Sequence, residues 1–302
     1  GGNVIPFNTA KAAIPVIKKY IRRNKIYCPY YLCQNVICEL KKNFEIVSFY
    51  HISKDLLPCE NIFDDNSAVV YLVNYFGIMG DKIRKMISQQ RKTVFILDNA
   101  HAFFAKPILR EGVYNIYACK KFFGVPDGAY LISKENLPYD YEPSVSWNYA
   151  NYLIKSFECG TNTAYGNKKE IDLYLNEHPA GMSIFSKYLL NCIDYPSVRK
   201  IRKRNFICYQ KFFKNVNLIK CEEKSIPYLY PLNVGKNIKK ELVQKRIYIP
   251  TLWTMPYKTG IDEYEDFLAD NTLFLPLDQR YSVMDINYII KAVNDILEAT
   301  DE

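Results

Sequence analysis

The sequence predicts an α/β fold: a large domain on a mostly parallel central sheet covered by helices, then a smaller α+β C-terminal domain. Several short apolar runs lack the polar alternation of half-exposed strands, so both of their faces must be covered. Through the first half of the chain those runs interleave with stretches of helical periodicity. The 302 residues are also more than one core usually organises.

Thr9 to Arg23 reads as a helix with Ala12, Ile14, Val16, Ile17 and Ile21 as its apolar positions. A β run over Ile26–Pro29 follows, then a helix over about 32–42 and β again at Phe44–Tyr50. Ala68–Phe76 is a near-continuous apolar run, Asp81–Gln90 reads as a helix, and Thr93–Leu97 as a buried strand. Tyr114–Ala118 and Ala129–Ser133 complete the strand candidates of the first half. The second half reads as helix over 183–215, with Arg199, Arg202 and Arg204 on its solvated side. β candidates at 226–234, 246–252 and 273–276, a helix over 239–245 and a final amphipathic helix over 283–299 follow. Gly and Asn punctuate 150–190, which places the division at 1–180 and 181–302.

Composition is ordinary for a globular protein, with 49% hydrophobic and 24% charged residues. The 26 Tyr must pair buried hydroxyls or line a cleft. A net charge of +8 favours solubility and attracts anions. The basic clusters 18–23 and 199–204 fit polar helix faces, and no nucleic-acid module is present. Nine Cys without a Cys-x-x-Cys pair argue against a disulfide framework or a zinc site. They read as mostly buried thiols of a reducing cytoplasm. Three His are too few for a His-based metal cluster, and no apolar stretch is long enough to span a membrane.

Two segments could carry chemistry. In the first, the strand Thr93–Leu97 ends in Asp98-Asn-Ala-His101. A carboxylate there either caps a helix or pairs with a ligand cation at the carboxyl end of the sheet. In the second, Tyr114–Ala118 leads through Cys119 into Lys120-Lys121-Phe-Phe-Gly-Val-Pro-Asp-Gly128. Two lysines between apolar stretches are badly placed for solvation, and a desolvated lysine is a usable amine nucleophile and base. An amine and a carboxylate at the tips of two strands are what a pyridoxal-phosphate site needs. The amine takes the cofactor's aldehyde, and the carboxylate keeps its ring nitrogen protonated.

Asp98-Asn-Ala-His-Ala and Ala118-Cys-Lys-Lys121-Phe-Phe-Gly-Val-Pro-Asp-Gly-Ala resemble the DegT/DnrJ/EryC1/StrS sugar aminotransferases, pyridoxal-phosphate enzymes of fold type I. The resemblance implies that Lys121, rather than Lys120, is the Schiff-base lysine and Asp98 the partner of the ring nitrogen. It places His101 near the cofactor's 3-hydroxyl. Pro29-Tyr-Tyr-Leu-Cys33 resembles the segment that supplies the ring-stacking residue, here Cys33 with Tyr31 close by. Asn8-Thr9-Ala10-Lys11-Ala12 resembles the phosphate-binding start of the first helix, where free N–H groups suit an anion. Asn176 falls where relatives reach the neighbouring subunit's phosphate. The resemblance implies an amino donor, by family habit glutamate, and a keto-sugar acceptor of the nucleotide-linked kind, as in surface polysaccharide or amino-sugar synthesis. It further implies a homodimer with shared active sites.

There are departures. Ala118 stands where the family has Ser, the first-helix motif lacks its Gly and its Thr or Arg, and Gly-Gly after the lysine loop is Gly128-Ala129. These departures leave open a catalytically degenerate relative that keeps the fold for binding or assembly.

Overall fold

The computed structural model describes residues 2–253 and 263–301. Its centre is a seven-stranded sheet of β1 (Asn3–Phe7), β2 (Lys25–Pro29), β3 (Ile46–Tyr50), β4 (Ala68–Val73), β5 (Val94–Asp98), β6 (Val113–Ala118) and β7 (Ala129–Ser133). The strand order is β1-β7-β6-β5-β4-β2-β3. The pairs from β6 through to β3 are parallel, while β7 runs antiparallel to both β6 and β1. All six residues of β4 are buried, as an apolar run without alternation requires.

Helices α1 (Ala13–Ile21), α2 (Gln34–Asn43) and α3 (Gly80–Gln89) connect the parallel strands. α1 buries the stripe Ala13, Ile14, Val16 and Ile17, the spacing of one helical face. One core cluster runs from Ile5 to Leu137 around this sheet and takes in Leu229, Leu268 and Phe274 from the far end of the chain.

The chain continues through α4 (Asn151–Glu158), α5 (Thr161–Glu177), α6 (Ile184–Asn191) and α7 (Tyr195–Phe213). α6 and α7 are separate because each has its own N-cap: Ser183 accepts from the Ser186 N–H, and Asp194 from the Ser197 N–H, with Pro196 in the first turn of α7. α8 (Lys239–Gln244), α9 (Glu263–Asn271), α10 (Val283–Asp301) and the antiparallel pair β8 (Tyr230–Leu232) and β9 (Leu273–Leu275) complete the fold. A second core gathers Phe206, Tyr209 and Phe213 of α7, β8, β9 and the apolar face of α10.

The structure corrects several expectations. Residues 246–252 form no strand; Ile247 is buried in the second core, but β8 and β9 already pair with each other. The stretch 151–177 is two packed helices, which bury Tyr152, Ile171 and Leu175 beside Tyr149. Arg202 is 1% exposed instead of solvated, because it shares the face of α7 that carries Phe206, Tyr209 and Phe213. Only Cys28 and Cys119 are buried, while Cys38, Cys59, Cys159 and Cys192 are exposed, so the thiols are mostly not core residues. No disulfide joins any of the nine.

Candidate active site

Parallel strands of a covered sheet leave a crevice at their carboxyl ends, where the backbone stops pairing and side chains turn outward. Here β2 ends at Pro29, β4 at Val73, β5 at Asp98 and β6 at Ala118. The register pairs Val73 with Asp98, and Asp98 with Ile116.

Asp98 is held from two sides. One carboxylate oxygen accepts the Ala100 N–H at 2.8 Å and the other the Tyr71 O–H at 2.8 Å. Desolvation raises its carboxyl above the ordinary value; those two donors and the charge of Lys121 pull it partly back. Tyr71 is fully buried, and burial together with the adjacent carboxylate pushes its phenol well above its usual range.

The two lysines part company. Lys120 makes an ion pair with Asp172 of α5 at 2.9 Å and lies over the Tyr152 ring. Lys121 turns the other way, 5.5 Å from the centre of the Tyr228 ring, where its charge reaches Asp98 and His101. Lys121 is exposed and Lys120 partly so. The expectation of a desolvated pair is thus corrected: Phe122 and Phe123 enter the core while the lysines stay on the turn.

His101 is 4% exposed and stacked between two rings, Trp253 at 5.1 Å and 4° and Tyr228 at 5.1 Å and 30°. Burial, then Lys121, hold its imidazole well below the ordinary pKa, so the ring is neutral at physiological pH. Its Nδ1 is buried without a hydrogen-bond partner, a costly state unless something else meets it. Gly77 allows this packing. Its φ is +81°, and a Cβ there would collide with the His101 carbonyl oxygen.

The first-helix residues reach the same edge. Thr9 precedes the turn Ala10–Ala12 that leads into α1; its carbonyl accepts the Ala12 N–H, and its hydroxyl caps nothing. Lys11 is half-buried, and desolvation lowers its pKa; Cys33 lies within electrostatic reach of both Lys11 and Tyr71. The Asn8 carbonyl accepts the Gly128 N–H at 2.8 Å, tying this turn to the lysine loop. The Asn8 amide is engaged by the backbone of His178 and Ala180.

Tyr31 does not face this crevice as a free ring. It is buried, parallel to Tyr75 and edge-on to Trp253, with its hydroxyl donating to the Leu252 carbonyl at 3.5 Å. Ala118 pairs with Ala129 and offers no hydroxyl. Asn176 lies half-buried in the last turn of α5, and among the described residues no hydrogen bond joins it to this cluster.

No family model matches the chain, and no curated protein does. Solved structures do. A putative sugar aminotransferase, Spr1654 from Streptococcus pneumoniae in its PLP-form, superposes with a TM-score of 0.68 at 17% identity, covering 98% of this chain and 87% of that one. PseC from Helicobacter pylori, an aminotransferase of pseudoaminic acid biosynthesis, gives 0.66 at 13%, covering 98% and 87%. A DegT DnrJ EryC1 StrS aminotransferase from Brucella abortus gives 0.62 at 13%, covering 97% and 86%. The fold is that of the sugar aminotransferases. A mostly parallel central sheet of fold type I was the expectation, and it is met, with seven strands.

Tyr71, Tyr228 and Trp253, which contact Asp98, Lys121 and His101, were missed by sequence reasoning. Tyr71 could have been found as the one hydroxyl-bearing residue inside the apolar run before Asn74. Tyr228 and Trp253 come from the second half of the chain, and nothing in their local sequence marks them.

Proposed function

We propose that this chain is a pyridoxal-phosphate-dependent aminotransferase that moves an amino group from a donor, glutamate by the habit of similar proteins, to a nucleotide-linked keto-sugar. The observation that carries this reading is the convergence of Lys121, Asp98 and an unpartnered His101 Nδ1 on one strand-end crevice. The fold likeness to sugar aminotransferases supports the substrate class.

The residues fit the cofactor. Asp98 keeps free acceptor capacity toward a protonated ring nitrogen, and the orphaned His101 nitrogen can meet the ring hydroxyl. The start of the helical segment at Thr9, Ala10 and Lys11 would take the phosphate, with less help than usual because Ala118 lacks a hydroxyl. Asn176 would reach the partner subunit's site. Cys33, within electrostatic reach of Lys11 and Tyr71, stands where an aromatic residue would stack, and Tyr31, engaged elsewhere, supports the Trp253 wall.

When bound, pyridoxal phosphate supplies an aldehyde that condenses with amines and a ring that draws electrons away from the substrate carbon. Lys121 Nζ would hold the cofactor and, when free, would take the proton from the substrate carbon. Asp98, anchored by Tyr71 and the Ala100 N–H, would hold the proton at the ring nitrogen. Neutral His101 offers its Nδ1 without competing for that proton. Trp253 and Tyr228 wall off water on the side of His101.

A homodimer with shared sites belongs to the same reading. It is supported by large apolar side chains left in solvent near the lysine-loop side, among them Trp147 at 87% and Phe157 at 93% exposed, with Ile154, Leu173 and Tyr188. Addition of glutamate to the cofactor-loaded protein should convert its visible absorption band to that of the aminated cofactor. Lys121→Ala should abolish that conversion. A loaded protein whose spectrum glutamate and other amino donors leave unchanged would support the binding or assembly role instead.

A further inference from the structure

A cavity of about 400 Å³ opens between α3, the loop after β5 and residues 222–226. Asn74 and Asn99 line it, with Arg84, Lys106, Arg199 and Lys224; Lys121 and His101 do not. Asn99 directly follows Asp98, and successive side chains of an extended segment point to opposite faces. The cavity is therefore separate from the crevice that Asp98 faces.

Asn99 is 1% exposed. Its Oδ1 accepts from Asn74 Nδ2 at 2.9 Å, and Asn74 Oδ1 in turn accepts the Met79 N–H at 3.3 Å. That chain fixes both amides and leaves Asn99 Nδ2 buried with no partner. A buried donor aimed at a cavity calls for an acceptor from outside the chain.

The charges around the cavity are unbalanced. The four cations are exposed, and among the described residues none of them forms an ion pair. Arg84 donates to the Lys106 carbonyl, and Arg199 lies over the Phe104 ring. Glu222 is occupied, since its oxygens accept the Asp81 and Lys82 N–H groups at 2.9 and 3.0 Å, capping α3. That leaves Asp81 as the one uncommitted carboxylate of the lining.

We propose that this cavity is a second small-molecule site, one that takes a phosphorylated metabolite. The phosphate sits among Lys106, Lys224, Arg84 and Arg199, and a hydroxyl or carbonyl oxygen on the ligand's body accepts from Asn99 Nδ2. The volume lies in the ~300–1,000 Å³ range of small-molecule pockets. The site does not depend on the cofactor reading.

Titration calorimetry with glucose 1-phosphate, inorganic phosphate and glucose tests it at constant ionic strength. Glucose 1-phosphate should bind saturably, phosphate more weakly and glucose not detectably. The double variant Lys106→Ala/Lys224→Ala, which alters only exposed side chains, should weaken glucose 1-phosphate binding by about tenfold or more. Asn99→Asp keeps the acceptor toward Asn74 and puts a carboxylate in place of the donor, so it should abolish binding. Lys121→Ala should leave binding unchanged. The proposal is overturned if glucose 1-phosphate shows no saturation, if the double variant binds like the parent, or if Lys121→Ala removes the binding.

Discussion

Replacing Tyr71 by Phe would delete one hydroxyl and little else, because the ring stays packed in β4. That hydroxyl is one of two donors to Asp98. A hydrogen bond to a charged group contributes about 1.5–3 kcal/mol, which corresponds to roughly one to two pKa units at ~1.36 kcal/mol each. Asp98 starts from a folded value already raised above 3.8, chiefly by desolvation. The folded state therefore holds this proton more tightly than the unfolded chain. The sign follows: the cofactor-free protein loses stability as pH rises from 3.8 through the folded value, and the loss is complete above it. Without the Tyr71 donor that loss grows and its midpoint moves to higher pH. Urea unfolding of the cofactor-free protein near pH 7 and near pH 4 measures this. The Tyr71→Phe variant should be less stable than its parent at both, with a deficit at least ~1 kcal/mol greater near pH 7, where Asp98 is charged. Equal deficits at the two pH values, or none, would refute the idea that Tyr71 stabilises a charged carboxylate.

Asp127→Ala should cost about 3 kcal/mol or more, since it strands buried donors. Asp127 accepts from Ser144, Tyr149, Ser186 and both the N–H and the hydroxyl of Ser183, pinning the loop after Lys121 to the start of α6; thermal unfolding reads the loss. Gly77→Ala should destabilise by more than about 1 kcal/mol and change the fluorescence of Trp253, because the new methyl displaces the His101 carbonyl. Lys120→Ala should lower stability by no more than ~1 kcal/mol, the usual worth of a half-exposed ion pair, and leave cofactor attachment intact.

The sheet was readable because burial on both faces writes itself into β4 as uninterrupted apolar residues, and because helices of clear periodicity separate the strands. β1 was missed: it is a five-residue edge strand whose existence depends on β7, far away in sequence. α5 was missed because most of its surface is polar and only Ala164, Ile171 and Leu175 are buried. Arg202 was misread although the signal was present. It lies four residues before Phe206 and seven before Tyr209, on the stripe that faces the core, where its guanidinium reaches the carbonyls of Pro227 and Tyr228 and the side chain of Gln279. Lys121 and Asp98 were legible as residue types at strand ends. Their opposite number, Trp253, was not, because it reaches His101 only through tertiary folding. The burial of the lysine pair was misjudged because flanking Phe122 and Phe123 imply a core segment, when in fact the turn keeps both lysines outside and sends both phenylalanines inward.

Borohydride reduction of the pyridoxal-phosphate-loaded protein, followed by peptide mapping, tests the central claim most directly. A single reduced adduct on Lys121 is the expected result. An adduct on Lys120, scattered labelling of surface lysines, or no adduct at all would contradict it.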